Sequence, residues 1–333
     1  MRISDNTISN NFLFNVNANR LRVDQLQIQL ASGKKISKPS DNPIDADTLL
    51  RIKELTEKNS QYELNIESAS GYLTATSNAM EQSIDIFQSA LETITQSSSP
   101  AAQRDLTAYA DKIDALLRQF VQVANSDYNG KYLFAGGKTR TLPYTMEFTD
   151  VDVSENFSVE RVDTVNYNGD DTKLHIPVGD GYNFEDANQI DASTSSGVIT
   201  RMNINGIEAF GNTESDTRAF EILIEARDAL DTASFDGVRM DLDTFNSIYG
   251  NVREMLTQLI SRTGEIGNSL EKLDILSSRL TADKENLESL RTVREDTDVA
   301  YAVTELQKQQ VQLEAAYKMG ANILPKSLVD FLR

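Results

Sequence analysis

The chain has no cysteine, no tryptophan and one histidine, His175. Without cysteine there is no disulfide, no thiol nucleophile and no zinc–thiolate site. One histidine cannot anchor a histidine-rich metal centre, and His175 lacks the base and orienting group that activate a nucleophile. Proline is scarce, and none occurs between Pro177 and Pro325, so nothing forces a break in that stretch. Positive charge is in deficit, with 32 Lys and Arg against 51 Asp and Glu and a net charge of −19. Such a balance argues against nucleic acid as a partner, because phosphate binding calls for a basic face. No apolar run is long enough to span a membrane, so no membrane insertion is expected. The opening MRISDNTISNNFLFNV has no basic stretch followed by an apolar run, and no cleaved signal peptide is expected.

What is present is unevenly spread. Half of the 16 glycines fall between Gly136 and Gly211. Between Arg140 and Glu214 there are 14 Asp and Glu against 4 Lys and Arg, whereas residues 1–40 hold 6 Lys and Arg against 2 Asp. Composition therefore divides the chain into an acidic middle, 136–215, flanked by helical sequence at 41–135 and 216–296, with terminal segments 1–40 and 297–333.

The flanks follow helical periodicity. Asp41-Asn42-Pro43 offers a polar cap and then a proline where a missing N–H costs nothing. From there Ile52, Leu55, Asn59, Tyr62, Ile66, Ala69, Leu73, Thr76, Met80, Ser83, Phe87, Ala90 and Ile94 keep an alternating 3/4 spacing. That is a coiled-coil-like seam on a helix of roughly 70–80 Å. A second helix carries Leu106, Tyr109, Ile113, Leu116, Phe120 and Val123 on one face. Later, Phe220, Leu223, Ile224 and Leu230 mark a short helix, and Val252, Leu256, Leu259, Ile266, Leu270, Leu273, Leu280 and Leu287 a long one. The pattern loses register at Arg294-Glu295-Asp296 and resumes as Val299, Val303, Leu306, Gln310, Leu313, Tyr317 and Leu324. The first thirty residues carry a matching stripe of Phe12, Val16, Asn19, Val23, Leu26 and Leu30.

Both ends are thus amphipathic helices with nothing nearby in sequence to cover them. The terminal helices are expected to pair with each other and to form a self-assembly interface through Phe12, Val16, Val23, Leu26, Leu30, Val303, Leu306, Leu313, Tyr317 and Leu324. Two thin helices alone are marginal, so these ends are expected to be disordered in the monomer and ordered in an assembly. The acidic middle reads as a small antiparallel β domain. Tyr167-Asn168-Gly169-Asp170-Asp171 lies between Val162–Val165 and Leu174–Ile176, and Asn205-Gly206 lies between Ile199–Ile204 and Ile207–Phe210. Asn-Gly pairs supply the positive φ angles of two-residue hairpin turns. The fold class is therefore mainly α, a long antiparallel helical rod with paired termini and an inserted β domain.

Several motifs imitate active sites. Ser32–Asn42, SGKKISKPSDN, contains a Gly-Lys pair, an S-x-x-K and an S-D-N. A phosphate loop would need Gly at Ile28 and Ser or Thr at Lys35, after a strand and not a helix. A penicillin-type acyl-serine site draws its motifs from distant parts of an α/β domain. Here Ser32 and Ser40 share one loop, and Lys138-Thr139-Arg140 lacks the final Gly. Asp180, Asn183, Glu185 and Asp186 miss the spacing of a calcium loop. No cofactor or metal is implied, and a hydrolase using Ser32 is the remote alternative.

Residues Leu30–Ala46, LASGKKISKPSDNPIDA, resemble the N-terminal signature of flagellins. Leu313–Ile323, LEAAYKMGANI, with Ser327–Leu332, is similar to the C-terminal partner segment. In place of the usual second Asp this chain has Asn42, which keeps the capping role. Within the family, Met1-Arg-Ile-Ser4, the run NGKYLFAGGKTRTLPY at Asn129–Tyr144, VNYNGD at Val165–Asp170 and NGIEAF at Asn205–Phe210 resemble the hook–filament junction branch. The resemblance implies a structural role without catalysis and makes Gly33, Pro39, Ser40, Asp41 and Pro43 a hinge and cap. It further implies a ring of like subunits between hook-associated protein 1 and flagellin, outside the cell on the flagellum. Export unfolded through the flagellar type III pathway follows, with a chaperone on the C-terminal helix at Val303, Leu306, Leu313, Leu328 and Phe331. A filament-forming flagellin and an unrelated coiled-coil adhesin are the rival readings.

Overall fold

The structure, a computed structural model, describes residues 5–99, 106–154, 157–179, 198–211, 215–235 and 241–323. Helices α1 (Asp5–Ser32), α2 (Pro43–Ser97) and α3 (Thr107–Ala124) come first. Strands β1 (Asp127–Tyr128), β2 (Lys131–Tyr132), β3 (Tyr144–Ser154), β4 (Phe157–Tyr167), β5 (His175–Gly179) and β6 (Val198–Arg201) follow. The chain then returns to helix as α4 (Gly206–Phe210), α5 (Arg218–Phe235), α6 (Leu242–Glu295) and α7 (Val299–Ile323). The fold is mainly helical with small antiparallel sheets inserted mid-chain, the class that the patterning anticipates. It divides into two compact units, Met1–Asn59 with Thr281–Arg333, and Ser60–Leu280. Residues of α2 and α6 belong to each.

Helix α2 starts as its sequence requires. Asn42 Oδ1 accepts from the Asp45 N–H at 3.3 Å, and Pro43 takes the first helical position. Of the thirteen seam positions on α2, only Leu55 is exposed. The polar members cost little, because the Thr76 and Ser83 hydroxyls donate to the carbonyls of Tyr72 and Ala79, each at 2.8 Å.

The core of the Ser60–Leu280 unit joins α2, α3, α5 and α6 with the strands. Phe87, Phe120, Phe134, Tyr144, Phe210 and Phe220 are all fully buried. Phe120 stacks on Phe220 at 4.5 Å between ring centroids and meets Phe87 and Phe210 edge-on. Aromatic pairs at such geometry add to their area burial. A charged cluster crosses this core. Asp114 of α3 accepts from Arg227 Nη1 of α5 at 3.1 Å, Arg118 Nε at 2.8 Å and the Val162 N–H of β4 at 3.4 Å. Beside it, buried Arg161 of β4 meets Asp111 at 2.8 Å and Asp231 at 3.2 Å.

The sheet connections differ from the sequence reading. Val162–Val165 does not pair with Leu174–Ile176. Instead β4 pairs with β3, Tyr167 opposite Tyr144, and β5 pairs with β6, His175 opposite Arg201. The run Asn168–Lys173 is a clamped loop. Gly137 N–H donates to Asp170 Oδ1, and Lys138 Nζ reaches the carbonyls of Asn168 and Gly169. Asn203 Nδ2 and Asn205 Nδ2 hold the carbonyls of Thr172 and Asp171, each at 3.1 Å. The Gly137 N–H, with Thr172 and Lys138, holds the Asp170 carboxyl below its ordinary pKa. Gly136 has φ +65°, and a Cβ there would strike the Asp170 carbonyl.

Asn205-Gly206 is not a hairpin turn either. Asn205 is the N-cap of α4, its Oδ1 accepting from Glu208 N–H at 2.8 Å, so Ile207–Phe210 is a helical turn and not a strand. An Asn-Gly hairpin turn is instead at Asn129-Gly130, φ +53° and +73°, joining β1 to β2. Both central residues have positive φ, as a type I′ turn demands. Gly206 packs beneath Tyr144 and Tyr167, and any Cβ would collide with both rings. Gly206→Ala is therefore expected to lower stability by about 1–3 kcal/mol, read by urea unfolding.

Candidate assembly surface

The terminal helices form the site. α1 lies antiparallel on α7, with Lys34 paired to Asp296 at one end and Phe12 against Gly320 at the other. On α1 the expected stripe faces inward. Val16 and Val23 are buried, and Phe12, Asn19, Leu26 and Leu30 are half-buried.

On α7 the inward face is turned by about one residue from the expected one. Ala302, Gln309 and Gly320 are buried, with Leu306 and Leu313 half-buried beside them. Val303 and Tyr317 lie on the exposed flank, as do Val299 and Gln310. The reason is backbone approach, since Phe12 rests directly on Gly320 where a Cβ would overlap its ring. Small residues let helices come close. The buried Gln309 Oε1 has no hydrogen-bond partner among the described residues, while Gln309 Nε2 donates to Glu305 Oε1 at 2.8 Å. That bond, with one from Lys308, holds the Glu305 carboxyl below its usual pKa. Leu324, Leu328 and Phe331 fall outside the described residues, as do Asp180, Asn183, Glu185 and Asp186.

Gly320→Val is expected to part α1 from α7 and to cost about 1–3 kcal/mol of local stability. Faster amide hydrogen exchange in α1, with α3 unchanged, is the measurement.

The pair carries a second apolar face. Phe14, Leu21 and Ile28 recur every seven residues on the side of α1 away from its buried stripe, with Phe14 74 % exposed. On α7, Tyr301, Val311 and Met319 are also exposed, without a seven-residue spacing, and Val311 lies opposite the buried face. Sequence reading missed this second face, although the period-seven signal was present on α1. Each helix was credited with one face only.

The residues expected to form a hinge and cap lie between α1 and α2. Gly33, φ +71°, ends α1 in the left-handed conformation. Its carbonyl accepts from Thr297 N–H at 2.9 Å, and Lys35 N–H donates to the Glu295 carbonyl at 2.6 Å. The loop after α1 is therefore stapled to the break between α6 and α7. Lys34 pairs with Glu295, and Arg294 with Asp45 at 2.7 Å. Asp41 Oδ2 accepts from Ser37 N–H and Lys38 N–H at 3.2 and 2.9 Å, folding the turn that holds Pro39 and Ser40, before Pro43 opens α2. Ser32 Oγ accepts from Lys34 N–H at 3.2 Å. The lure motifs are thus used up in caps and turns. Among the described residues no group of acidic or histidine side chains is placed to hold a metal, and no helix is long and apolar enough to cross a membrane.

Comparison with known proteins agrees with this geometry. Residues 3–139 match the bacterial flagellin N-terminal helical region, and residues 249–332 match the bacterial flagellin C-terminal helical region. The chain is 25 % identical to flagellar hook-associated protein 3 of Escherichia coli K12, over 90 % of each chain. It is 22 % identical to flagellin of Bacillus subtilis 168 over the full length of both. In fold it is similar to a flagellar junction protein from Legionella pneumophila, with a TM-score of 0.53 over 75 % of this chain and all of that one, at 12 % identity.

Proposed function

We propose, from the premise that this chain belongs to the bacterial flagellin family, that it is a structural subunit of the flagellum and forms the layer joining hook to filament. The observation that carries this reading is the doubled apolar character of α1 and α7. One face closes the pair, and the other, with Phe14, Leu21, Tyr301 and Val311 exposed, awaits neighbouring copies. Exposed apolar stripes of this length mark interaction surfaces, and a ring of like subunits covers them by repeating one heterologous contact. The junction placement draws on the similarity to hook-associated protein 3 and on the joint between Gly136-Gly137 and Asp170, which unites two motifs of the junction branch.

On this reading the neighbours are hook-associated protein 1 on one side and flagellin on the other. The protein is exported unfolded by the flagellar type III pathway and works outside the cell. Ordering of the termini accompanies assembly, so their amides exchange faster in the monomer than in the ring. A chaperone that holds Val303, Leu306 and Leu313 takes α7 from α1 before export, because Leu306 and Leu313 are partly covered by that pairing. Leu328 and Phe331 extend the same proposed contact.

A second reading, a filament-forming flagellin, is favoured by the full-length match to the Bacillus subtilis protein. Immunogold microscopy of intact flagella with antibody to residues 140–215 separates the two. One narrow band where hook meets filament is expected, and label along the whole filament would establish the second reading instead.

A further inference from the structure

The net negative charge of this protein belongs to one of its units. Met1–Asn59 with Thr281–Arg333 holds 16 Lys and Arg and 16 Asp and Glu, whereas Ser60–Leu280 holds 16 against 35. The whole net charge of −19 therefore resides in Ser60–Leu280. Copies brought side by side in the same orientation would set these acidic units against one another.

Within the neutral unit, one surface has the opposite character. A groove of about 490 Å³ lies against the stapled joint. Ile36, Pro39 and Leu50 give it an apolar floor, with Leu50 65 % exposed. Its rim holds Lys34, Lys38, Lys53 and Arg291 against Glu57 and Glu295. Glu295 is shared by Lys34 and Arg291, and Lys53 is 3.9 Å from Glu57. Lys38, and Lys35 next to it, have no acidic partner among the described residues. The larger groove beside α4 offers no such selection, because its Arg218 and Arg262 already hold carboxylates.

We infer that the Lys34–Arg291 groove is the docking site for the acidic Ser60–Leu280 unit of a second copy. The inference rests on the proposed self-assembly and gives that assembly its polarity. A ring needs two different surfaces that fit each other, and a basic groove meeting an acidic unit supplies them while staggering the like charges. Complementary charge of this kind sets register and encounter rate, and weakens with salt.

The absence of cysteine makes the test direct. Full-length Lys38→Cys carries a single thiol for a benzophenone photocrosslinker. Isotope-labelled and unlabelled copies are mixed, assembly is followed by sedimentation, and crosslinked peptides are sequenced. Crosslinks from one copy's position 38 into residues 60–280 of another are expected. Assembled protein whose crosslinks stay within one copy, or reach only residues 1–59 or 281–333 of a neighbour, overturns the groove and leaves the assembly reading standing. Absence of any sedimenting assembly overturns both. In parallel, the triple variant Lys35→Glu, Lys38→Glu, Lys53→Glu is expected to raise the half-assembly concentration about tenfold at about 50 mM salt, and by much less at about 0.5 M. An equal half-assembly concentration for variant and wild type at low salt also overturns the inference.

Discussion

Replacing Leu21 and Val311 together by Asp leaves the helices folded and abolishes association between copies; this is the largest effect expected of any change to the protein. Both side chains are about two-thirds exposed, at 66 % and 67 %. They lie on the outward face of the α1 and α7 pair, so neither packs in the monomer. The register set by Phe12 on Gly320 and by Lys34 opposite Asp296 places them level with each other. An unpaired carboxylate taken out of water costs several kcal/mol, so two weaken each contact by about a thousandfold or more. Sedimentation reads the loss, and helical circular dichroism equal to that of unassembled wild type shows that the fold survives. Alanine at the same two positions removes apolar area without burying charge and is expected to weaken assembly far less. Wild-type assembly by the double Asp variant would mean that copies meet elsewhere.

The second large effect lies in the core of the other unit. Asp114→Ala is expected to cost about 3 kcal/mol in urea unfolding, because it removes the buried carboxylate that Arg227 meets and leaves its guanidinium only the half-exposed Asp228. Arg227 is 4 % exposed and donates to Asp114, Asp228 and the Val162 carbonyl. Removing both charges with Asp114→Leu and Arg227→Met is expected to recover much of the loss, since apolar replacements of a buried pair are often near neutral. The pH dependence follows from the same contacts. Burial pushes the Asp114 carboxyl up, but its hydrogen bonds from Arg118, Arg227 and Val162 outweigh burial and set its pKa below the ordinary 3.8. A carboxyl lowered on folding stabilises the native state above its unfolded pKa, and that contribution fades as pH falls through the folded value. The difference in stability between wild type and Asp114→Ala is therefore full at neutral pH and shrinks below about pH 4. A difference that stays constant down to pH 3 would place the stabilisation elsewhere.

Much of this was legible in the residues because helical periodicity is local. The α2 seam, the inward stripe of α1 and the Asn42-Pro43 start can each be read from a few turns of chain. The apolar pattern of α7 lies one residue out of phase with its buried face, since hydrophobicity alone passes over Ala302, Gln309 and Gly320, and Gly320 is where Phe12 of α1 comes close. The hairpins expected at Asn168-Gly169 and Asn205-Gly206 do not form, and the pair that makes one, Asn129-Gly130, is not singled out by the pattern, because Asn also caps helices. Strand β3 was passed over although Tyr144, Met146 and Phe148 alternate at period two.

By itself the sequence determined the helical class, the acidic middle, the two amphipathic ends and the use of Ser32–Asn42 as cap and turn, all consequences of neighbours within a few residues. Tertiary structure alone decided that Gly33–Lys35 is stapled to Glu295–Thr297, that Asp170 seats on Gly137, and that Asp114, Arg227 and Arg161 share one buried cluster. Each joins residues tens to hundreds of positions apart. No local pattern specifies such contacts, because their free energy exists only once the intervening chain has closed.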